Sequence, residues 1–345
     1  MPELTINGAT VDIEEGASVL AACRKAGVDV PTMCFMEGFE HFTSCMICIV
    51  MEERSGRLIP SCSAPAEDGM AIDTVGEKVR AARKDALELL LREHIGDCEA
   101  PCTRVCPSAI DIPGMIRAIA SGRAQQAAKI AGTCIALAGE NCPARCEKAC
   151  RRGRVDSPVS ICMLVKFAFN EGTTGDTASK RFDSHMGGLR EGELDQFMKD
   201  SSDIARIEPA GDNGFDSHEA VREAQRCMHC DCRKKTACVL RDLVDEYGAD
   251  QWKYSGGAQR RAIERLLEHS EIAYEPGKCI KCGRCVRISR KAGEDPGLTF
   301  LGKGYDVRVG VPFGDAMSKA LPKTAAKCAR ACPTGAIAMK GEREI

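Results

Sequence analysis

The chain has 345 residues, 22 of them cysteine, with 48 Lys plus Arg against 50 Asp plus Glu. That balance leaves no electrostatic footprint for nucleic acid or an anionic membrane, and apolar runs such as "CMICIVM" are far too short to span a bilayer. The start "MPELTINGATVDIEEG" lacks a basic segment followed by an apolar one, so the chain reads as cytoplasmic and its thiols as reduced and metal-bound.

With one Trp, four Tyr and ten Phe, the cores must be small and aliphatic, and metal centres would add to the folding energy. Residues 1–75 open with alternating segments, "ELTING" and "ATVDIEE". The glycine-ended helix "ASVLAACRKAG" and the strand-like "ICIVMEE" and "LIPSC" follow, together a small mixed sheet with one helix. Over residues 76–170 helices take over. "VRAARKDALELLLREH" puts Val79, Ala82, Ala86, Leu87, Leu90, Leu91 and His94 on one face. Asp111 and Pro113 then start the helix "GMIRAIASGRAQQAAKIAG". Residues 171–218, rich in Gly, Asp, Ser and Thr and free of cysteine, read as a linker. Residues 219–275 carry a helix entering Cys227 and a second helix, "RRAIERLLEHS"; residues 276–345 form a last cysteine-rich module. The fold class is α+β.

The cysteines fall into five groups. The first, Cys34, Cys45, Cys48 and Cys62, is spaced C-x10-C-x2-C-x13-C. Four thiolates with one tight pair fit a [2Fe–2S] centre, and they also fit zinc. Around them, "GASVLAACRKAGVDVPTMCF", "SCMICIVM" and "SCSAPAEDGMAIDT" resemble the ferredoxin domain that opens the large iron–sulfur subunit of respiratory complex I and of iron-only hydrogenases. That resemblance implies a β-grasp domain and a [2Fe–2S] cluster.

In "HIGDCEAPCTRVCP", Cys98, Cys102 and Cys106 repeat every four residues. On a helix the outer two would lie about 12 Å apart, too far to share one centre. "NCPARCEKAC" repeats the period at Cys142, Cys146 and Cys150, so two rows can share two clusters crosswise. Residues 98–167 are similar to the double-cluster domain of the glutamate synthase small subunit and dihydropyrimidine dehydrogenase. The resemblance implies one [4Fe–4S] cluster on Cys98, Cys102 and Cys150 and another on Cys106, Cys142 and Cys146. His94 stands where the family has a further cysteine. "HIGDC" matches the H-x3-C spacing of the His-plus-three-Cys cluster of the complex I subunit, which implies ligation; the alternative is a helix-end histidine favoured by the dipole. Cys162 is the expected fourth ligand of the second cluster, with Cys134 as the alternative and a buried inert cysteine as the other reading of Cys162.

Cys227, Cys230, Cys232 and Cys238, in "RCMHCDCRKKTAC", read as a third [4Fe–4S] site or a structural zinc with His229 as a substitute ligand. In the fifth group, "CIKCGRCVR" supplies Cys279, Cys282 and Cys285 and "CARACPTGAI" supplies Cys328 and Cys332. Three close thiolates plus a remote one before proline wrap a cubane. The module resembles those of the complex I subunit and hydrogenases, where "CPxGA" carries the last ligand, so Cys332 outranks Cys328. Cys23 has no assigned role.

No G-x-G-x-x-G nucleotide fingerprint occurs, and "GKG" at 302–304 has the wrong spacing and context. The expected function is therefore electron transfer with no substrate site of its own. One [2Fe–2S] and four [4Fe–4S] clusters would wire an NAD(P)H-oxidising flavoprotein to a second redox subunit, within a hetero-oligomer. That second module would be a hydrogenase, a formate dehydrogenase, another molybdenum or tungsten enzyme, or a ferredoxin partner. The other readings are a zinc-stabilised scaffold of a complex and a self-sufficient oxidoreductase.

Overall fold

The computed structural model describes residues 1–132, 134, 142–172, 184–210, 214–254 and 260–340. They fold as two compact units that interleave along the chain: Met1–His94 with Ala237–Arg261 and Glu268–Lys340, and Ile95–Thr236 with Ala262–Leu267.

The first unit begins with a five-stranded mixed sheet. Its strands are β1 (Glu3–Ile6), β2 (Ala9–Asp12), β3 (Ile49–Glu52), β4 (Arg57–Pro60) and β5 (Ala71–Asp73), in the order β2-β1-β5-β3-β4. The turn Asn7-Gly8, at φ 48° and 85°, joins β1 to β2, the pairing that twists a two-residue hairpin correctly. β1 and β5 run parallel and the other neighbours antiparallel. Helix Val19–Lys25 is capped by Ser18, whose Oγ accepts from the Ala21 N–H at 3.2 Å. Its buried side chains, Val19, Leu20, Ala22 and Cys23, join Leu4, Ile6, Val50 and Ile72 in one core.

Helix Glu77–Glu93 follows, and its buried face holds Val79, Leu87 and Leu91 together with Arg83 and Glu88. Both charged groups have partners: the Arg83 guanidinium donates to the Ile49 carbonyl and to Tyr247 Oη, both at 3.0 Å, although its Nη2 has no hydrogen-bond partner among the described residues, and Glu88 pairs with Lys253 at 2.7 Å. The last part of this unit has two antiparallel strand pairs, β6 (Ile272–Tyr274) with β9 (Ile337–Met339) and β7 (Thr299–Leu301) with β8 (Arg308–Gly310). Helices Arg284–Lys291 and Ala325–Ala331 lie with them.

The second unit is helical. Its core gathers Ile112, Met115, Ile116 and Ile119 from helix Ile112–Ala120, Ala127 and Ala131 from Ala124–Ala131, Leu164, Val165 and Ala168 from Ile161–Glu171, and Ala220 and Ala224 from Ser217–Ala224. Small aliphatic side chains fill it, as the shortage of aromatics requires. Asp111 caps the first of these helices, and Asp216 with Glu219 forms a reciprocal capping box at the last.

The structure departs from three sequence expectations. The single helix over 114–132 is two, because the backbone reverses at Ser121-Gly122, with Gly122 at φ 69°. The expected helix over 260–270 is irregular instead: the Ile263 and Arg265 amides donate to Glu193 Oε1 and Gln196 Oε1, each at 3.0 Å, so side-chain acceptors replace helical carbonyls. Within the expected linker 171–218, Glu193–Met198 is helical and buries Phe197; residues 173–183 and 211–213 lie outside the described residues.

Candidate metal centres

The 22 cysteines are thiols and not halves of disulfides, and most line one of four sites. In the first unit Cys34, Cys45, Cys48 and Cys62 are each at most 3% exposed. The loop that carries the first three turns through left-handed Thr43 and Met46 (φ 46° and 57°), which aims the Ser44, Cys45 and Ile47 amides back at sulfur. Cys34 and Cys45 share one hydrogen bond, and Cys48 and Cys62 another. A proton held between two sulfurs lowers the pKa of Cys34 and of Cys62 and raises that of each partner. Cys23 lies apart in the core, where burial pushes its pKa up to about 11.

A cavity of about 350 Å³ in the same unit is walled by Cys279, Cys282, Cys285 and Cys332 with Tyr274, Ile280, Val309 and Ile337. Lys281, left-handed at φ 56°, donates its amide to Cys279 Sγ at 3.4 Å. Burial pushes the Cys279 and Cys282 thiols up to about 12. Cys328 is fully buried but not part of this wall; its Sγ faces the Cys285 carbonyl at 3.8 Å.

Arg287, unforeseen in the sequence reading, links these two sites. Its guanidinium donates to the carbonyls of Cys34, of Glu40 at 2.7 Å, of Cys282 at 3.4 Å and of Gly283 at 3.3 Å. Lys291 reaches the Gly38 carbonyl at 3.0 Å, and Phe42 stacks on Phe300 with centroids 5.2 Å apart. The Cys34–Cys45 loop is thereby tied to the helix that carries Cys285.

In the second unit a cavity of about 370 Å³ is lined by Cys106, Cys134, Cys142, Cys146 and Cys162 among Pro107, Ile110, Ile161 and Val165. Cys162 shares a hydrogen bond with Cys146, which raises its pKa, and Glu147 Oε1 accepts the Cys162 amide at 2.8 Å. The structure thus puts both fourth-ligand candidates, Cys162 and Cys134, at this wall. A further cavity of about 350 Å³ is bordered by Cys102, Cys150, Cys227 and Cys230, so the thiols of two sequence groups meet there.

The other expected ligands lie outside these cavities. Cys98 and Cys232, in the second unit, are tied through backbone by the Cys232 amide on the Cys98 carbonyl at 3.3 Å. Cys238, in the first unit, occupies the N-cap of helix Val239–Tyr247. His94 caps the C-terminus of its helix, with Nδ1 3.1 Å from the Lys278 carbonyl. Burial lowers its pKa to about 4. A neutral ring whose Nδ1–H donates to a carbonyl presents the Nε2 lone pair, as metal-binding histidines do.

Soft thiol donors in apolar, dry surroundings suit iron–sulfur clusters. Among the described residues no three His, Cys, Asp or Glu side chains close to single-ion distance; the thiols instead border open cavities.

Comparison with known proteins agrees. Residues 2–77 match the family described as a 2Fe-2S iron-sulfur cluster binding domain. Residues 93–176 match the family described as dihydropyrimidine dehydrogenase domain II, 4Fe-4S cluster. The chain carries two iron–sulfur domains.

Its relatives include the mitochondrial NADH-ubiquinone oxidoreductase 78 kDa subunit of Candida albicans, 38% identical over 96 residues, and the NADH-ubiquinone oxidoreductase 75 kDa subunit of Reclinomonas americana, 35% identical over 98. NADP-reducing hydrogenase subunit HndD of Solidesulfovibrio fructosivorans is 36% identical over 104 residues. Each match takes in 28% of this chain and spans only 13 to 18% of the relative's length. A solved chain of an NAD+-reducing [NiFe]-hydrogenase in the H2-reduced state shares the fold, with TM-score 0.53 at 17% identity, covering 99% of this chain and 88% of that one. Among the described residues no helix is long and apolar enough to cross a membrane.

Proposed function

We propose that this chain is a multi-cluster electron-transfer subunit wiring an NAD(P)H-oxidising flavoprotein to a second redox module. That module would be a hydrogenase, a formate dehydrogenase, another molybdenum or tungsten enzyme, or a ferredoxin partner, in a cytoplasmic hetero-oligomer. The observation that carries this reading is the set of four buried or half-buried sites, each walled by at least four cysteine thiols.

The five-stranded sheet with its helix is a β-grasp ferredoxin domain, and Cys34, Cys45, Cys48 and Cys62 are the ligands of a [2Fe–2S] cluster. Cys279, Cys282, Cys285 and Cys332 hold one [4Fe–4S] cluster, and Cys106, Cys142, Cys146 and Cys162 another. His94, Cys98, Cys102, Cys150, Cys227, Cys230, Cys232 and Cys238 supply the ligands of two more. When bound, such clusters pass single electrons.

The chain's own part is to exclude water with apolar walls, to aim backbone amides at the sulfurs, and to set charge nearby. An amide or guanidinium N–H pointed at a cysteine sulfur stabilises negative charge there, which makes reduction easier.

One [2Fe–2S] and four [4Fe–4S] centres require about eighteen irons per chain. Anoxic purification with metal analysis tests the count, and copurification names the partners. NADH or NADPH oxidation is expected only after a flavoprotein is added. A chain that binds zinc and no iron would replace this reading with a structural scaffold, and turnover by the chain alone would replace it with a self-sufficient oxidoreductase.

A further inference from the structure

We propose that Cys102, Cys150, Cys227 and Cys230 together hold one [4Fe–4S] cluster, so that the second and fourth cysteine groups interleave instead of filling separate centres. This rests on the electron-transfer reading and sharpens it, since the sequence groups Cys102 and Cys150 with Cys98, and Cys227 and Cys230 with Cys232 and Cys238.

The four side chains border a single cavity of about 350 Å³, and Cys98, Cys232 and Cys238 are not among its lining residues. Cys102 comes from the short helix Pro101–Arg104, and Cys150 from the residue that closes the turn after helix Arg145–Lys148. The opposite wall is brought in by helix Ser217–Ala224: its Ala220 and Ala224 sit in the core, and the chain leaves it directly into Cys227. His229, left-handed at φ 45°, then turns the backbone so that Cys227 and Cys230 both reach the cavity, and its amide faces Cys227. Pro101, Pro113, Ile116, Val159 and Ile161 give the wall its apolar part, and Arg151 and Arg152 also line it.

The electrostatics treat the four as one set. Cys102 feels the charges of Cys150, Cys227 and Cys230, and Cys227 and Cys230 each feel Cys150. Burial is the largest cause raising Cys102, Cys227 and Cys230, with Cys230 pushed up to about 11. Once deprotonated, four sulfurs brought together here would need cationic metal among them. On binding, each thiol releases its proton to solvent as its sulfur–iron bond forms.

Arg151 also belongs to the site: it donates to Cys230 while paired with Asp97 at 2.6 Å. Arg117, paired with Asp231 at 2.8 Å, sets a second buried cation near Cys227.

The test is iron counting with Mössbauer spectroscopy on the anoxically purified full chain carrying Cys102→Ala, Cys227→Ala, or both. Each single variant is expected to lose about four irons, and the double variant no more than either. If the double loses about eight, the two cysteines serve different clusters and the proposal is overturned. Cys227→Ala combined with Cys279→Ala is the additive control, expected to lose about eight.

If the alanine variants do not fold, stepwise chelation of the unaltered chain with mass-spectrometric alkylation gives the same decision. Cys102, Cys150, Cys227 and Cys230 must lose protection together; Cys102 reacting while Cys227 stays protected overturns the assignment. A chain with zinc and no iron would defeat the electron-transfer reading itself. An iron-loaded chain with additive losses would defeat only this ligand set.

Discussion

Replacing Arg287 by leucine probes the link between the first unit's two cysteine sites. The substitution removes the guanidinium that donates to the carbonyls of Cys34, Glu40, Cys282 and Gly283. At about 1 kcal/mol net for each hydrogen bond, the loss is roughly 3 to 4 kcal/mol. For a folding unit of this size that lowers the melting temperature by roughly 6 to 16 °C, measured by circular dichroism on the anoxic, cluster-loaded chain.

A second effect has a fixed direction. Arg287 is a buried cation beside both Cys34 and Cys282, so its removal disfavours the added electron at both sites, and both midpoint potentials fall. Arg287→Lys separates the causes: a retained charge keeps the potentials near those of the unaltered chain, while loss of the planar fork still lowers stability. If Arg287→Leu leaves the melting temperature and both potentials unchanged, the guanidinium neither ties the loops together nor acts on the clusters.

Three more outcomes follow from particular side chains. Cys332→Ser should abolish the paramagnetic signal of the C-terminal [4Fe–4S] cluster, whereas Cys328→Ser, which changes a thiol outside the cavity, should keep it; the reverse pattern would exchange their roles. His94→Cys should lower the potential of one cluster signal without removing it, since a thiolate adds a negative charge where an imidazole has none. If His94→Ala changes no signal, His94 is only a helix-end residue. Glu223→Ala strands the Ser160 and Ile207 amides and removes one of the two carboxylates paired with buried Arg226. It should cost about 2 to 5 kcal/mol, read as a drop in the denaturant midpoint at unchanged slope; a loss below about 1 kcal/mol would mean that the two amides find other acceptors and that Asp156 with the Ser157, Pro158 and Ile204 carbonyls holds Arg226 without Glu223.

Much of the chain was legible because its information is local. The alternating segments that became β1 and β2, the Asp111 cap and the apolar face of helix Glu77–Glu93 depend on residues a few positions apart. The short cysteine spacings carry the same kind of information, because a Cys-x2-Cys segment needs only one left-handed residue to point both sulfurs the same way. Lys281 and His229 supply that turn in two such segments.

Elsewhere, distant partners decided against local propensity. "RRAIERLLEHS" has a helical composition, yet it is not helical, and the Glu193 and Gln196 side chains accept the Ile263 and Arg265 amides. Arg83, Glu88 and Arg287 would be placed on a wetted face by periodicity, and each is buried because a partner far along the chain satisfies its charge.

By itself, then, the sequence determined that this is a thiol-rich α+β protein with short aliphatic cores, and which cysteines are close neighbours within each loop. Only the tertiary structure decided which loops face one another. Cys102 and Cys150 meet Cys227 and Cys230 because a capped helix packs Ala220 and Ala224 into the same core. No spacing rule can carry that, since the sulfurs that share a cavity are set by how helices pack, and packing depends on the whole buried surface and not on the interval between cysteines.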